Sequence, residues 1–399
     1  KIRTGIMQGG KIELKVGETI RIQKEEVLGT AERISTIAPE IIGDLRVGDP
    51  ILLDDGLFEL KVISTETASA TCEIIIGGTL KSSKGMNLPS TPLSLPSVTT
   101  KDWLDLNWAL DHSVDYVALS FVRNAEEIYA IKKYIAESGK RDIRVVAKIE
   151  KPEAVNHIKE IINASDAIMI ARGDMGVELP AARVPRIQQK IIRLCWQMNT
   201  PVITATQMLD SMTTNSRPTR AEVTDVSTAI AEGTDAVMLS QETATGYDPV
   251  NVVRTMASII CEEEHFSDLS HDQYEQLIDE NSANPLLTSV TVFSNTAATL
   301  LLDPDGKLYP LLSKWSRKVP SILVTRSLHV ARHATLYKNI IPLIIKDEMS
   351  RDKMVFRAME LAKKIGCIRR GDLISIVEGD RITQGGIKQS GALQLVTVV

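Results

Sequence analysis

From Thr99 onward the chain alternates between short, almost uninterrupted apolar runs and longer amphipathic stretches. The apolar runs are Tyr116–Ser120, Val145–Lys148, Ala167–Ala171, Val202–Thr206 and Ala236–Ser240. Runs of this kind, separated by sequence of helical period, predict strands of a parallel sheet covered by helices. Each run ends in polar residues: SFVR, KIE, ARGD, TATQ and SQET. Residues 6–83 follow a different rhythm, with short alternating segments and many turns: KIELKVGETIRI, RVGDPILLDDGLFELKV and SATCEIIIGGTL. That style predicts a small β-barrel or sandwich. Asp54, Asp55 and Gly56 fall at one of its hairpin turns, where Asp-Gly is ordinary turn chemistry. The proline-rich stretch Lys84 to Ser97, KGMNLPSTPLSLPS, reads as a return linker. From about Phe266 a third region begins, with apolar segments VPSILVT, NIIPLIIK and GDLISIV and a strong helix MVFRAMELAKKIG. It predicts another α/β domain. Its opening, Asn284 to Ser316, yields no clear helix–strand unit, and SKWSRK, with Trp315 and Arg317, reads as a solvated loop or a pocket wall.

Parallel strands with polar tips suggest a TIM barrel, whose sites lie at the C-terminal ends of the strands. A barrel needs eight strands; the runs above, with Lys1–Gly5 (KIRTG) counted as the tail of another, fall short of that. Either the sheet is open and doubly wound, or the opening strands precede Lys1. An open parallel edge would then expose unpaired backbone groups and weaken the fold.

Composition narrows the function class. The chain has 399 residues, 43% of them hydrophobic, and a net charge of −5, which argues against general nucleic-acid binding. No apolar run reaches the ~18 residues of a membrane span. Four cysteines lie far apart without a CxxC pair, as expected of reduced thiols in a cytoplasmic protein with no zinc site.

The densest candidate chemistry lies in VVAKIEKPEAVNHIKEIINASDAIMIARGD, from Val145 to Asp174. It reads as strand, polar tip, amphipathic helix, strand, polar tip. Lys148 and Glu150 stand at the first tip, and Arg172, Gly173 and Asp174 at the second. Two carboxylates and a lysine at adjacent tips fit a divalent cation beside a phosphate-type substrate. A buried Lys–Glu pair and a helix-capping Asp174 account for the same residues equally well. In SRPTRAE, Pro218 predicts a turn and Arg220 and Glu222 a helix start, for packing as readily as for catalysis.

Taken in order, KIRTG, LLDDGL, KGMNLP, VALSFVR, AKIEKPEAV, IMIARGDMGVELP, PVITATQMLDSM, RPTRAEVTDV and DAVMLSQETATG resemble the signature segments of the pyruvate kinase family, closely over residues 1 to about 260. The resemblance implies a TIM (β/α)8 barrel interrupted by a small β-barrel domain and followed by a C-terminal α/β domain. On that plan residues 1–5 and 85–266 form the catalytic barrel, 6–84 a lid and 267–399 a regulatory domain. The family's first two barrel strands and most of the third would precede KIRTG.

The implied reaction moves a phosphoryl group from phosphoenolpyruvate to ADP and protonates the enolate to pyruvate. Glu150 and Asp174 match the family's Mg²⁺ carboxylates, with Mn²⁺ as a substitute, and Lys148 its phosphoryl-contacting lysine. Ala171, Arg172, Gly173 and Asp174 match the substrate segment, where backbone N–H groups at a helix start can take a carboxylate. Thr206 matches the threonine near the enolate, and Ser240 and Glu242 further members of that polar network. Arg3, Lys84 and Asp55 resemble nucleotide-side residues under a closing lid. Lys1 stands where members needing K⁺ carry glutamate, which implies activity without K⁺. Gln241 replaces a usual glycine. The family further implies a homotetramer and a sugar-phosphate or nucleotide effector; Ser294, Asn295 and Thr296, and the loop near Gly385 and Gly386, are faint echoes of its effector loops. Two other readings stand beside the kinase: a Mg²⁺-dependent aldolase or lyase working through a pyruvate enolate, and a non-catalytic relative.

Overall fold

The computed structural model describes residues 2–89, 91–94, 96, 98–140, 142–266, 296–315, 319–378, 381–382, 388–389 and 392–399. Lys1, Ser294, Asn295, Arg317, Gly385 and Gly386 lie outside these.

The apolar runs form a five-stranded parallel sheet. Its strands are Tyr116–Leu119, Arg144–Ile149, Ala167–Ala171, Val202–Ala205 and Ala236–Met238. They lie side by side in chain order, each joined to the next through helix, as consecutive units of a (β/α)8 barrel do. Three of the strands end one or two residues earlier than their apolar runs, because Ser120, Thr206 and Ser240 leave the ladder to build the tips. The central strand Ala167–Ala171 is buried at every position, which explains its unbroken apolar sequence.

The helices follow local rules. Thr99 and Asp102 close a capping box on helix Thr100–Asp111, and Thr219 and Glu222 do the same for Arg220–Ala231. Helix Ala125–Glu137 starts at an Asn124 cap and buries Ile128, Ile131 and Ile135 along one stripe. A repeated device ties strand starts together. Asp166 Oδ2 accepts the Val145 N–H at 2.8 Å, and Asp235 Oδ2 the Val202 N–H at 2.9 Å.

Residues 11–87 carry the predicted β-rich unit, a six-stranded sheet with a two-stranded companion around a core of its own. In KIRTG, Arg3 bridges to Gly85 and Thr4 to Thr36. Tyr116–Leu119 and Ala236–Met238 are the outer strands of the parallel sheet.

The C-terminal region is a second five-stranded sheet. Four of its strands, Ala298–Leu302, Ser321–Thr325, Ile340–Ile344 and Leu373–Glu378, are parallel, and Ala392–Thr397 is antiparallel at one edge. Strand Ala298–Leu302 and helix Tyr309–Trp315 lie where the sequence reading found no unit. The signal was a short apolar run, ATLLL, ended by Asp-Pro-Asp-Gly, which is a buried strand and a turn. This region packs against the base of the first sheet: Tyr116 Oη donates to the His333 carbonyl at 3.1 Å, and Arg144 Nη1 to Tyr309 Oη at 3.1 Å. Tyr116 and Arg144 begin their strands, so the strand tips at the other end stay free for chemistry. Among the described residues, no helix is long and apolar enough to cross a membrane.

Candidate active site

Strand alternation decides which way the candidate groups point. Val145, Ala147 and Ile149 belong to the core beneath the helices, while Val146 packs with Ala167, Met169, Ile203 and Ala205 on the opposite face. Residues two apart share a face, so Lys148 and Glu150 follow Val146 onto that inner side, at the strand's C-terminal end.

There the Lys148 ammonium lies 2.7 Å from Glu150 Oε1 and donates to Ser120 Oγ at 3.0 Å. Glu150 is fully buried, and its Oε2 accepts the Phe121 N–H at 2.6 Å. Burial pushes the Glu150 carboxyl above the usual carboxylate range. Lys148 and the Phe121 amide pull it back, and the neighbouring Asp174 carboxylate adds to the rise. Lys148, Glu150 and Asp174 therefore share one electrostatic neighbourhood, as the motif spacing required. Oε1 accepts no aligned hydrogen bond despite its close ammonium. A buried acid oxygen with a spare lone pair beside a second carboxylate suits a hard cation. Mg²⁺ takes one or two protein carboxylates and fills its octahedron with water and substrate oxygens. Consistent with so sparse a set, no three His, Cys, Asp or Glu side chains gather as a metal cage among the described residues.

The next tip is built on strained backbone. Thr206 has φ 69° and Gln207 φ 54°, and Phe121 on the far side has φ 54°. Left-handed backbone is a genuine outlier for a β-branched residue and clusters where a site needs it. The turn directs Thr206 Oγ1 to accept the Gly173 N–H at 2.8 Å while it donates to the Ala205 carbonyl at 2.6 Å. The Gly173 amide, the second of the helix Arg172–Glu178 and expected to be open for a substrate carboxylate, is thus held by a hydroxyl.

Arg172 holds the same turn from behind. Its guanidinium pairs with Asp225 at 2.6 Å and donates to the Thr206 carbonyl at 2.9 Å. Glu242 likewise spans two tips: it is buried and accepts the Ser240 N–H at 2.6 Å and the Leu209 N–H at 3.1 Å. Both side chains fix backbone positions. Glu222 accepts from Ser211 and Thr219. Burial would raise its carboxyl, but these hydrogen bonds outweigh that and hold it below the usual range. Ala171, the last residue of its strand, is buried, so only its backbone could meet a ligand.

Arg3 and Lys84 are anchored in the β-rich unit, and Asp55 follows the ion-paired Asp54 in its hairpin turn. Arg3 Nη1 donates to the Ser83 carbonyl at 2.9 Å, and Lys84 pairs with Asp54 at 2.9 Å. Asp54, Asp55 and Gly56 all have positive φ, as the hairpin reading expected. The sequence reading singled out neither the Phe121 amide nor Asp225. A backbone donor leaves no mark in sequence, and Asp225 is one polar residue among several on an amphipathic helix.

With this geometry in view, comparison with known proteins is specific. The family profile "Pyruvate kinase, barrel domain" matches residues 1–253, and "Pyruvate kinase, alpha/beta domain" matches residues 295–391. The chain belongs to the pyruvate kinase family. It is 39% identical to the pyruvate kinase of Geobacillus stearothermophilus over 393 residues, covering 97% of this chain and 67% of that protein. It is 38% identical to the enzyme of Staphylococcus saprophyticus, covering 99% and 69% respectively. For Bacillus licheniformis the identity is 36%, with 100% of this chain and 68% of the relative covered. The chain thus spans about two thirds of the length of these pyruvate kinases. The barrel-domain match contains every candidate site residue described above, from Arg3 to Glu242.

Proposed function

We propose that this chain transfers the phosphoryl group of phosphoenolpyruvate to ADP, giving pyruvate and ATP. The observation that carries the reading is the convergence of Lys148, Glu150 and Asp174 at adjacent strand tips beside the strained Thr206 turn. Phosphoryl transfer is mostly positioning and charge neutralisation. The bond from phosphorus to the enol oxygen breaks, a bond to a terminal β-phosphate oxygen of ADP forms, and the enolate takes a proton at its methylene carbon.

In this reading Lys148 contacts the transferring phosphoryl and offsets its developing charge. Its neighbour Ser120 holds the ammonium in place. Glu150 and Asp174 hold Mg²⁺, or Mn²⁺ in its stead, which when bound supplies positive charge to the phosphoryl oxygens. Thr206 stands between the Gly173 amide and the Ala205 carbonyl, and its hydroxyl must rotate off that carbonyl to hand on a proton. A threonine is too weak an acid to act unaided, so Thr206 works within a water-linked relay. Arg172, Ser240 and Glu242 keep the tips in register. Arg3, Lys84 and Asp55 face the nucleotide, with the β-rich unit closing above.

The proposal extends to activity without K⁺, on the strength of Lys1, and to a homotetramer working in cytoplasmic glycolysis. It also includes a sugar-phosphate or nucleotide effector. The C-terminal cleft lined by Pro304, Arg326, Ser327 and Arg351 is the place to seek it. The deciding experiment measures pyruvate formation from phosphoenolpyruvate with ADP and Mg²⁺ each present or withheld. Dependence on both is expected. Pyruvate released at an equal rate without ADP would replace phosphoryl transfer by hydrolysis, and no pyruvate under any condition would leave a non-catalytic relative.

A further inference from the structure

The two carboxylates assigned to the cation sit on separate backbone segments, and one buried ion pair staples those segments together. Lys151 directly follows Glu150 and is the residue before helix Pro152–Asn156. Glu178 closes the helix Arg172–Glu178 and lies four residues after Asp174, on the same face. Lys151 Nζ is 2.9 Å from Glu178 Oε1, and the two side chains are only 11% and 1% exposed. The same oxygen accepts from Asn87 Nδ2 at 2.8 Å.

Asn87 belongs to the β-rich unit. The strand Met86–Asn87 pairs with Leu52 and Leu53, which lead directly into the Asp54–Gly56 turn. That turn lies near the helix: a Cβ placed on Gly56 would come 3.9 Å from Val177 Cγ1. The β-rich unit touches the Asp174 helix through the amide of Asn87. Asn87 Oδ1 and Glu178 Oε2 are buried with no hydrogen-bond partner.

Resting on the kinase reading, we propose that Asn87, Lys151 and Glu178 form a latch that sets the spacing of Glu150 and Asp174. Cation affinity thereby depends on how the β-rich unit is seated. None of the three needs to touch substrate; they are positioning residues. Groups that orient metal ligands carry costs of about 10–100-fold in affinity when removed. Lys151→Met leaves Glu178 buried without its ammonium and frees the helix to shift.

The test is Mn²⁺ binding to the full chain without substrate, read as free Mn²⁺ by electron paramagnetic resonance. Lys151→Met should weaken binding about tenfold, the low end of the range for such supporting groups; Asn87→Ala, which leaves the ion pair in place, should weaken it less, about threefold, and the charge-conserving Lys151→Arg less than about twofold. In turnover, Lys151→Met should raise the Mg²⁺ concentration giving half-maximal rate, with kcat at saturating Mg²⁺ nearly unchanged. Glu150→Gln is the control for the underlying reading. If Glu150→Gln weakens Mn²⁺ binding while Lys151→Met and Asn87→Ala bind it like the parent chain, the latch is wrong and the cation site stands. If Glu150→Gln binds Mn²⁺ unchanged, the cation site is wrong and the latch falls with it. Should Lys151→Met lose its native circular dichroism, Asn87→Ala, which keeps the ion pair, decides alone.

Discussion

The molecule contains two parallel sheets with buried strands, and their C-terminal ends are finished in opposite ways. In the first, Lys148, Glu150 and Asp174 crowd one neighbourhood and the backbone at Phe121, Thr206 and Gln207 is left-handed. In the second, the acids are tied off. Asp303 accepts the Lys307, Leu308 and Tyr309 amides at 2.9, 2.8 and 3.0 Å, and Glu378 pairs with Arg351. One set of tips gathers an ammonium and two carboxylates beside left-handed backbone. The other uses Asp303 and Glu378 for its own turn and for an ion pair. The same architecture thus concentrates charge and strain at one set of strand ends and disperses them at the other.

Substitutions at matched positions sharpen that contrast. The largest effect expected is on turnover: Lys148→Met should lower kcat by about a thousandfold while native circular dichroism is kept. Unchanged turnover would remove Lys148 from the chemistry. In the second sheet the pattern inverts. Asp303→Ala removes a buried charge-assisted cap and should cost about 3 kcal/mol in the urea transition of the C-terminal region, with kcat within about twofold of the parent. A large loss of kcat there would break the division between the sheets.

Thr206→Gly tests the strain itself. Glycine accepts positive φ freely, so stability should hold or rise by about 1 kcal/mol although a hydrogen bond is lost, while turnover falls at least about tenfold. Clear destabilisation would mean that the turn is relaxed.

The smallest effect belongs to the seam between the sheets. His333 is buried there, its Nε2 3.3 Å from the Asp115 carbonyl, with Arg144, Asp115, His329 and Tyr116 around it. Burial, with help from Arg144, holds its imidazole below the usual histidine value. The unfolded chain therefore binds the proton more readily than the folded one. Stability should be flat above the ordinary histidine pKa of about 6.5 and fall as pH drops below it. His333→Asn should flatten that slope, as followed by thermal unfolding across pH.

Much of this was legible without coordinates. The apolar runs with polar tips named the parallel sheet, because a strand covered on both faces must be apolar throughout. The spacing of Lys148 and Glu150 placed both on one face, since alternation along a strand is fixed by covalent geometry. SRPTRAE announced a turn at Pro218 and a helix start at Arg220 and Glu222, which the helix Arg220–Ala231 bears out. The family signatures suggested a role for Thr206, which composition and period could not.

Other features depended on the fold. KIRTG looks like any strand end, and its pairing with Gly85 and Thr36 shows only in the fold. Arg172 sits in a signature beside the candidate cation ligands, yet its guanidinium turns to Asp225, 53 residues away. The Lys151–Glu178–Asn87 cluster joins three segments with no local relation, and the Phe121 amide is a donor that every residue but proline owns. Sequence determines what short-range geometry dictates: period, caps, turns and the face a side chain takes. Which distant groups meet, and so which charges are consumed by the fold and which are left for a ligand, is set only when burial forces each polar atom to find a partner across the chain.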